Sequence, residues 1–176
     1  MKKYFAGIGS RETPESIYPI VLDLSKTLID LNFVLRSGGA DGADSFWEKA
    51  YNSIGGEKEI YLPWKGFNGN SSPLYEIKPW AIERAEIYHP NWNHLSPAAQ
   101  KLHSRNVYQI NGYNDYWDEM SDFVICYTPD GKDSGGTGQA IRIARQHGIP
   151  VFNLYNDSKE MIDSFIKFNY TNLWNK

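Results

Sequence analysis

Three short stretches bring together residue types suited to one kind of chemistry, the holding of a phosphate. They are Gly7-Ile8-Gly9-Ser10-Arg11, Ser37-Gly38-Gly39-Ala40-Asp41-Gly42-Ala43-Asp44 and Ser134-Gly135-Gly136-Thr137-Gly138. Glycine lets backbone amides approach an anion closely, and a helix that starts at such a turn adds unsatisfied N–H groups and the positive end of its dipole. The hydroxyls of Ser10, Ser37, Ser134 and Thr137 are further donors, and Arg11 is placed to grip a phosphate with two N–H groups. Asp41 and Asp44 are by type turn and cap residues, and they suit recognition of a ribose equally well. No stretch is the G-x-G-x-x-G dinucleotide pattern or a P-loop ending in Lys-Ser/Thr, which weakens dehydrogenase and nucleotide-triphosphatase readings.

Other chemistries find less support. His89, His94 and His103 lie close in sequence, but they lack the pair spacing or neighbouring carboxylate of a metal site on one helix, and no metal or cofactor is expected. The single cysteine, Cys126, lies in the apolar run Phe123-Val124-Ile125-Cys126 and reads as a small core residue, with no disulfide framework possible. The net charge is −3, and Lys2, Lys3, Arg36, Lys65, Lys78, Arg84 and Lys101 are scattered among acids. Non-specific nucleic-acid binding rests on clustered positive charge, so nucleic acid is expected to be a poor partner. No apolar run is long enough for a signal segment or a membrane span, and a cytoplasmic protein without a membrane partner is expected.

The elements that must position these loops follow from hydrophobic spacing. Apolar runs at Lys3 to Ile8, Phe33 to Arg36, Glu59 to Leu62, Asp122 to Tyr127 and Pro150 to Leu154 predict five strands. Between them, Thr13-Pro14-Glu15 predicts a capped helix start, with Ile17, Ile20, Val21, Leu24 and Leu28 three and four apart on one face. A second helix carries Phe46, Trp47, Ala50 and Tyr51, a third opens at Ser96-Pro97 and runs through Arg105 to Ile110, and a fourth spans Gly136 to Gln146. Asp157 to Glu160 has capping-box spacing for the last.

Strands apolar on both sides, alternating with helices, predict the α/β class: a Rossmann-like three-layer domain spanning 1–176 around a mostly parallel five-stranded sheet. Ligands of such sheets bind beyond the carboxyl ends of the strands, which is where all three glycine loops fall. An aromatic-rich insertion at about 63–95 holds Trp64, Phe67, Trp80, Tyr88 and Trp92, and is expected to form a lid or a contact between subunits rather than core. A homodimer or larger assembly is expected on the same ground.

The glycine loops, taken with the strand-Gly-x-Gly-Ser-Arg start, resemble the SLOG superfamily over roughly Lys3 to Leu154, and most closely its small stand-alone members often encoded by phages. That group includes the Rossmann-like domain of the DNA-processing protein DprA, the LOG phosphoribohydrolases and nucleotide-sensing domains of antiviral systems. The resemblance implies a pocket for a nucleotide-derived small molecule, such as ADP-ribose, cyclic ADP-ribose or a cyclic nucleotide, that is sensed or sequestered, as in a phage counter-defence protein. Its implied ligand-binding residues are Gly9, Ser10, Arg11, Ser37, Gly38, Gly39, Asp41, Asp44, Arg105, Asn106, Ser134, Gly135, Gly136, Thr137 and Gly138.

Two alternatives stay open. One is a LOG-like N-glycosidase, for which Arg105 matches the family's catalytic arginine in order and distance. The family's catalytic glutamate has no match, since Gln139-Ala140-Ile141-Arg142 follows Gly138, and a carboxylate would have to come from Asp41, Asp44, Glu119 or, paired with Arg105, Glu48. The other is DprA-like handling of single-stranded DNA, which would need a basic groove.

Overall fold

The computed structural model describes residues 2–171. Its centre is a five-stranded sheet of β1 (Lys3–Gly9), β2 (Phe33–Ser37), β3 (Lys58–Ile60), β4 (Phe123–Tyr127) and β5 (Val151–Asn153), in the order β3-β2-β1-β4-β5. Every pairing is parallel, with Phe5 opposite Leu35 on one side and Phe123 on the other. The α/β, Rossmann-like reading is thus borne out. All five predicted strands occur where their apolar runs lie, because a strand buried on both faces has no other way to remove a Val/Ile/Phe run from water.

Among the described residues six α-helices cover the sheet: α1 (Tyr18–Asp30), α2 (Ala43–Ile54), α3 (Pro79–Ile87), α4 (Pro97–Asn111), α5 (Gly135–Gln146) and α6 (Lys159–Tyr170). On one face α1, α2 and α6 bury Leu24, Leu28, Trp47, Tyr51, Ile162 and Ile166 against Phe5, Phe33, Leu35 and Phe123. On the other, α3, α4 and α5 bury Ala81, Ala85, Val107, Ile110, Ile141 and Ala144 against Ala6, Ile8, Val124 and Cys126. Among the described residues no helix is long and apolar enough to cross a membrane.

Three local expectations are corrected. Thr13-Pro14 does not open an α-helix directly: a 3-10 turn, Glu15–Ile17, comes first, and the Thr13 hydroxyl donates to the Ser10 carbonyl at 2.6 Å. The last helix is capped by Ser158, whose Oγ accepts from Met161 N, while the Asp157 carboxylate accepts from Asn153 N at the end of β5. The aromatic insertion is divided between core and surface: Trp92 is buried and Trp80 and Tyr88 pack against the second core, whereas Trp64, Tyr75, Ile82 and Ile87 are exposed. Its second half folds as α3, where Ala81 and Ala85, one turn apart and fully buried, allow close approach to α4. Trp80 packs edge-on against Tyr108 with centroids 5.3 Å apart, and Trp92 is 8% exposed. Trp64, Phe67 and Tyr75, ahead of α3, stay outside this second cluster.

Candidate functional site

The strand order reverses between β1 and β4, and a cleft of about 490 Å³ opens beyond their carboxyl ends. Three backbones converge there. The β1 loop supplies Gly9, Ser10 and Arg11; Thr128 and Pro129 follow β4; and the start of α5 supplies Ser134 to Thr137. One wall is a face of α4, with Ala99, Leu102, His103, Arg105, Asn106 and Gln109.

The α5 end of the cleft is ready for an anion. The first intrahelical hydrogen bond is Gly138 N to Ser134 O at 3.0 Å, so the amides of Gly135, Gly136 and Thr137 precede the helical ladder and carry its positive end. Nothing lies within 4 Å of where a Cβ would sit on Gly135 or Gly136. Across the cleft, Arg11 is exposed and has no carboxylate partner among the described residues. Asn106 ties the α4 wall to α5, donating from Nδ2 to Gly136 O at 3.1 Å and to Gln139 Oε1 at 3.3 Å.

Arg105 and Asp44 form the floor. Arg105 is 5% exposed; its Nη1 donates to the Gly38 carbonyl and lies 3.6 Å from Asp44 Oδ2. A Cβ on residue 38 would overlap that guanidinium, so the glycine of the second loop makes room for an arginine rather than for a phosphate. Asp44, in the first turn of α2, accepts from Ala40 N at 3.3 Å. Burial pushes its carboxyl up to about 6, against the opposing pull of Arg105 and of the amides of Ala40, Gly9 and Gly38.

His103 lines the cleft beside them. Its Nδ1 meets Gln139 Oε1 at 2.9 Å, and Gln139 Nε2 is already given to Ala85 O, so the amide is fixed with its oxygen toward the imidazole. That arrangement makes Nδ1 the N–H donor and leaves the lone pair on Nε2. Burial holds the His103 pKa below the usual value, with His89, Arg105 and Arg142 pushing the same way. Cys126 is sealed in the second core, where burial raises its thiol to about 12.

Of the residues expected to bind a ligand, the structure gathers Gly9, Ser10, Arg11, Asp44, Arg105, Asn106, Ser134, Gly135, Gly136 and Thr137 around the cleft. It places the others elsewhere. The Ser37 hydroxyl donates to Gly7 O at 2.7 Å inside the sheet, and Gly39 packs on Leu62. Asp41 accepts from Asn68 Nδ2 at 2.8 Å, and Gly138 sits against the Asp133 backbone. Glu48 does not pair with Arg105: its carboxylate holds Lys58 at 2.5 Å and Asn70 at 2.8 Å, outside the cleft. The arginine and glutamate proposed as a catalytic pair are therefore apart, and the cleft's carboxylates are Asp44 and Glu12. Gln109 and Thr128 escape the sequence reading, and His103 enters it only as a rejected metal ligand. Ala99, Leu102, His103 and Asn106 recur three and four apart around Arg105, and that spacing was the available signal.

No family model and no curated protein matches the chain. Solved structures do. DNA processing protein A of Streptococcus pneumoniae aligns with a TM-score of 0.52 and 18% identity over 87% of this chain. The chain spans about half of that protein, 50% of its length. DNA processing protein A from Helicobacter pylori, described by its single-stranded DNA binding mode, aligns at 0.48 and 18% identity over 97% of this chain and 77% of its own. A structural-genomics target, TM1055, aligns at 0.48 and 20% over 86% and 72%.

The chain has a Rossmann-like fold similar to that of DNA processing protein A. This overturns the expectation of a phage-type sensor or sponge for nucleotide-derived signals: the fold matched above is that of a DNA processing protein. It also corrects the view that nucleic acid is a poor partner. That view counted charge over the whole chain, whereas a groove is local. Arg36 is buried on Glu59, Lys78 lies over Tyr113 and Arg84 pairs with Asp115, so these cations serve the fold. Arg11 in the cleft, Lys101 next to Leu102 and Lys65 next to Trp64 form no ion pairs among the described residues.

Proposed function

We propose that the protein binds single-stranded DNA across the carboxyl edge of its sheet, with a backbone phosphate against the start of α5 and Arg11. The observation that carries this reading is an anion-ready helix start at the switch point of a fold shared with a DNA-processing protein. Four strand spacings make that edge about 19 Å long, enough for several nucleotides side by side. Amide donors add no formal charge, which is how a chain of net charge −3 accommodates a polyanion.

The test is fluorescence anisotropy with a labelled oligothymidine and with a duplex of the same length, each over a series of salt concentrations. The single strand binds more tightly, and log K falls linearly with log salt. Arg11→Ala lowers the slope by about 0.7, the contribution of one single-strand phosphate. Absence of single-strand binding at low salt removes the proposal.

A further inference from the structure

We infer that Trp64 and Phe67 form a stacking platform for an unpaired base of the strand whose phosphate occupies the cleft. The inference rests on the single-strand reading above and assigns a second subsite to it, beyond the end of β3.

Trp64 is 37% exposed, and Phe67 meets it edge-on with centroids 5.2 Å apart at 90°. Phe67 is the partly buried member, packed against the first core cluster, so it braces Trp64 from below. The Arg105 guanidinium lies 5.9 Å from the Phe67 centroid, and Arg105 also lines the cleft. Cleft, arginine, phenylalanine and tryptophan are therefore a continuous series of contacts. Lys65, exposed between the two rings in sequence, supplies a cation for the adjoining phosphate.

The turn that carries these rings is held in place before any ligand arrives. Asn68 Nδ2 donates to Asp41 Oδ1 at 2.8 Å, Asn70 Nδ2 to Glu48 Oε2 at 2.8 Å, and Ser72 Oγ to Ile60 O at 2.6 Å. Asp41 and Glu48, offered by the sequence as ligand and catalytic groups, thus serve to fix this turn. A fixed turn holds its aromatic rings without further ordering on binding, which favours stacking. Every base has a π-face, so the platform takes any base and discriminates a strand that has bases from one that lacks them.

The experiment compares oligothymidine with an abasic oligonucleotide of equal length and charge, on the wild type, Trp64→Ala and Trp64→Phe. Trp64→Ala weakens oligothymidine binding about tenfold with an unchanged salt slope, and Trp64→Phe recovers most of the loss. The abasic strand binds the wild type about tenfold more weakly than oligothymidine, and the difference disappears in Trp64→Ala. Trp64→Ala lowers the melting temperature, because the ring also packs on Phe67, and the binding comparison is therefore made well below the transition with Trp64→Phe as the control that keeps an aromatic ring. If the wild type binds with an Arg11-dependent salt slope and Trp64→Ala binds both strands as the wild type does, the platform is wrong and the cleft stands. If the wild type binds neither strand, both fall together.

Discussion

At the scale of single residues, the floor of the cleft is a buried carboxylate and a buried arginine that hold each other. Asp44 has its pKa raised to about 6 by burial, above the value of an unfolded chain, so the folded state binds the proton more tightly. Its stabilising contribution is full below about pH 4, where the carboxyl is neutral in both states, and is lost as pH rises through about 6. A shift of this size corresponds to roughly 3 kcal/mol. Asp44→Asn, which cannot ionise, removes this pH dependence. The difference in unfolding free energy between the two proteins, followed by urea titration from pH 4 to 7, moves in favour of the variant as pH rises. A flat difference would place Asp44 in a more solvated setting. Arg105→Ala is a poor probe of DNA binding for a related reason: it leaves the Asp44 charge and the Gly38 carbonyl without their partner, so a lost affinity would report a damaged fold.

At the scale of elements, α5 carries the argument, and its exposed start permits a test that separates binding from folding. A Cβ on Gly136 meets nothing within 4 Å. Gly136→Asp therefore fits, and a carboxylate in the first turn suits the helix dipole, so the melting temperature holds or rises slightly. The same carboxylate occupies the place of a phosphate and repels it, lowering single-strand affinity tenfold or more in the anisotropy assay. Retained affinity would move the phosphate away from α5.

The elements were readable in the sequence where burial is two-sided. Five apolar runs gave five strands, and Ser96-Pro97 gave the start of α4, with Ser96 Oγ accepting from Ala99 N at 3.2 Å. The α3 helix was not readable, because two alanines in a glycine- and asparagine-rich neighbourhood make a weak stripe whose meaning comes only from the helix they pack on. The site was half readable. Glycine loops disclose the sheet edge they belong to, but not which of them stays open. Arg105 reaches Gly38 across 67 residues of sequence and fills the second loop, leaving the α5 loop for a ligand.

At the scale of the whole molecule, the question is whether net charge or local arrangement governs binding. The parallel sheet has a polarity: all strand carboxyl ends face the side on which the cleft opens, and the amino ends lie about 20 Å away, a distance set by the length of β1. At physiological salt, charges are screened over about 8 Å, so the amino edge contributes little to the potential in the cleft. Lys2, at that edge, is exposed and paired with Glu57 at 2.9 Å. Lys2→Glu and Arg11→Glu change the net charge of −3 by the same amount and give proteins of equal total charge. Lys2→Glu leaves single-strand affinity within about twofold of the wild type, whereas Arg11→Glu lowers it tenfold or more. At low ionic strength, where screening reaches about 30 Å, the two variants converge, because the distant charge is then felt as well. Equal losses at physiological salt would mean that the polyanion responds to the molecule's overall charge, and the cleft at the switch point would lose its claim to the strand.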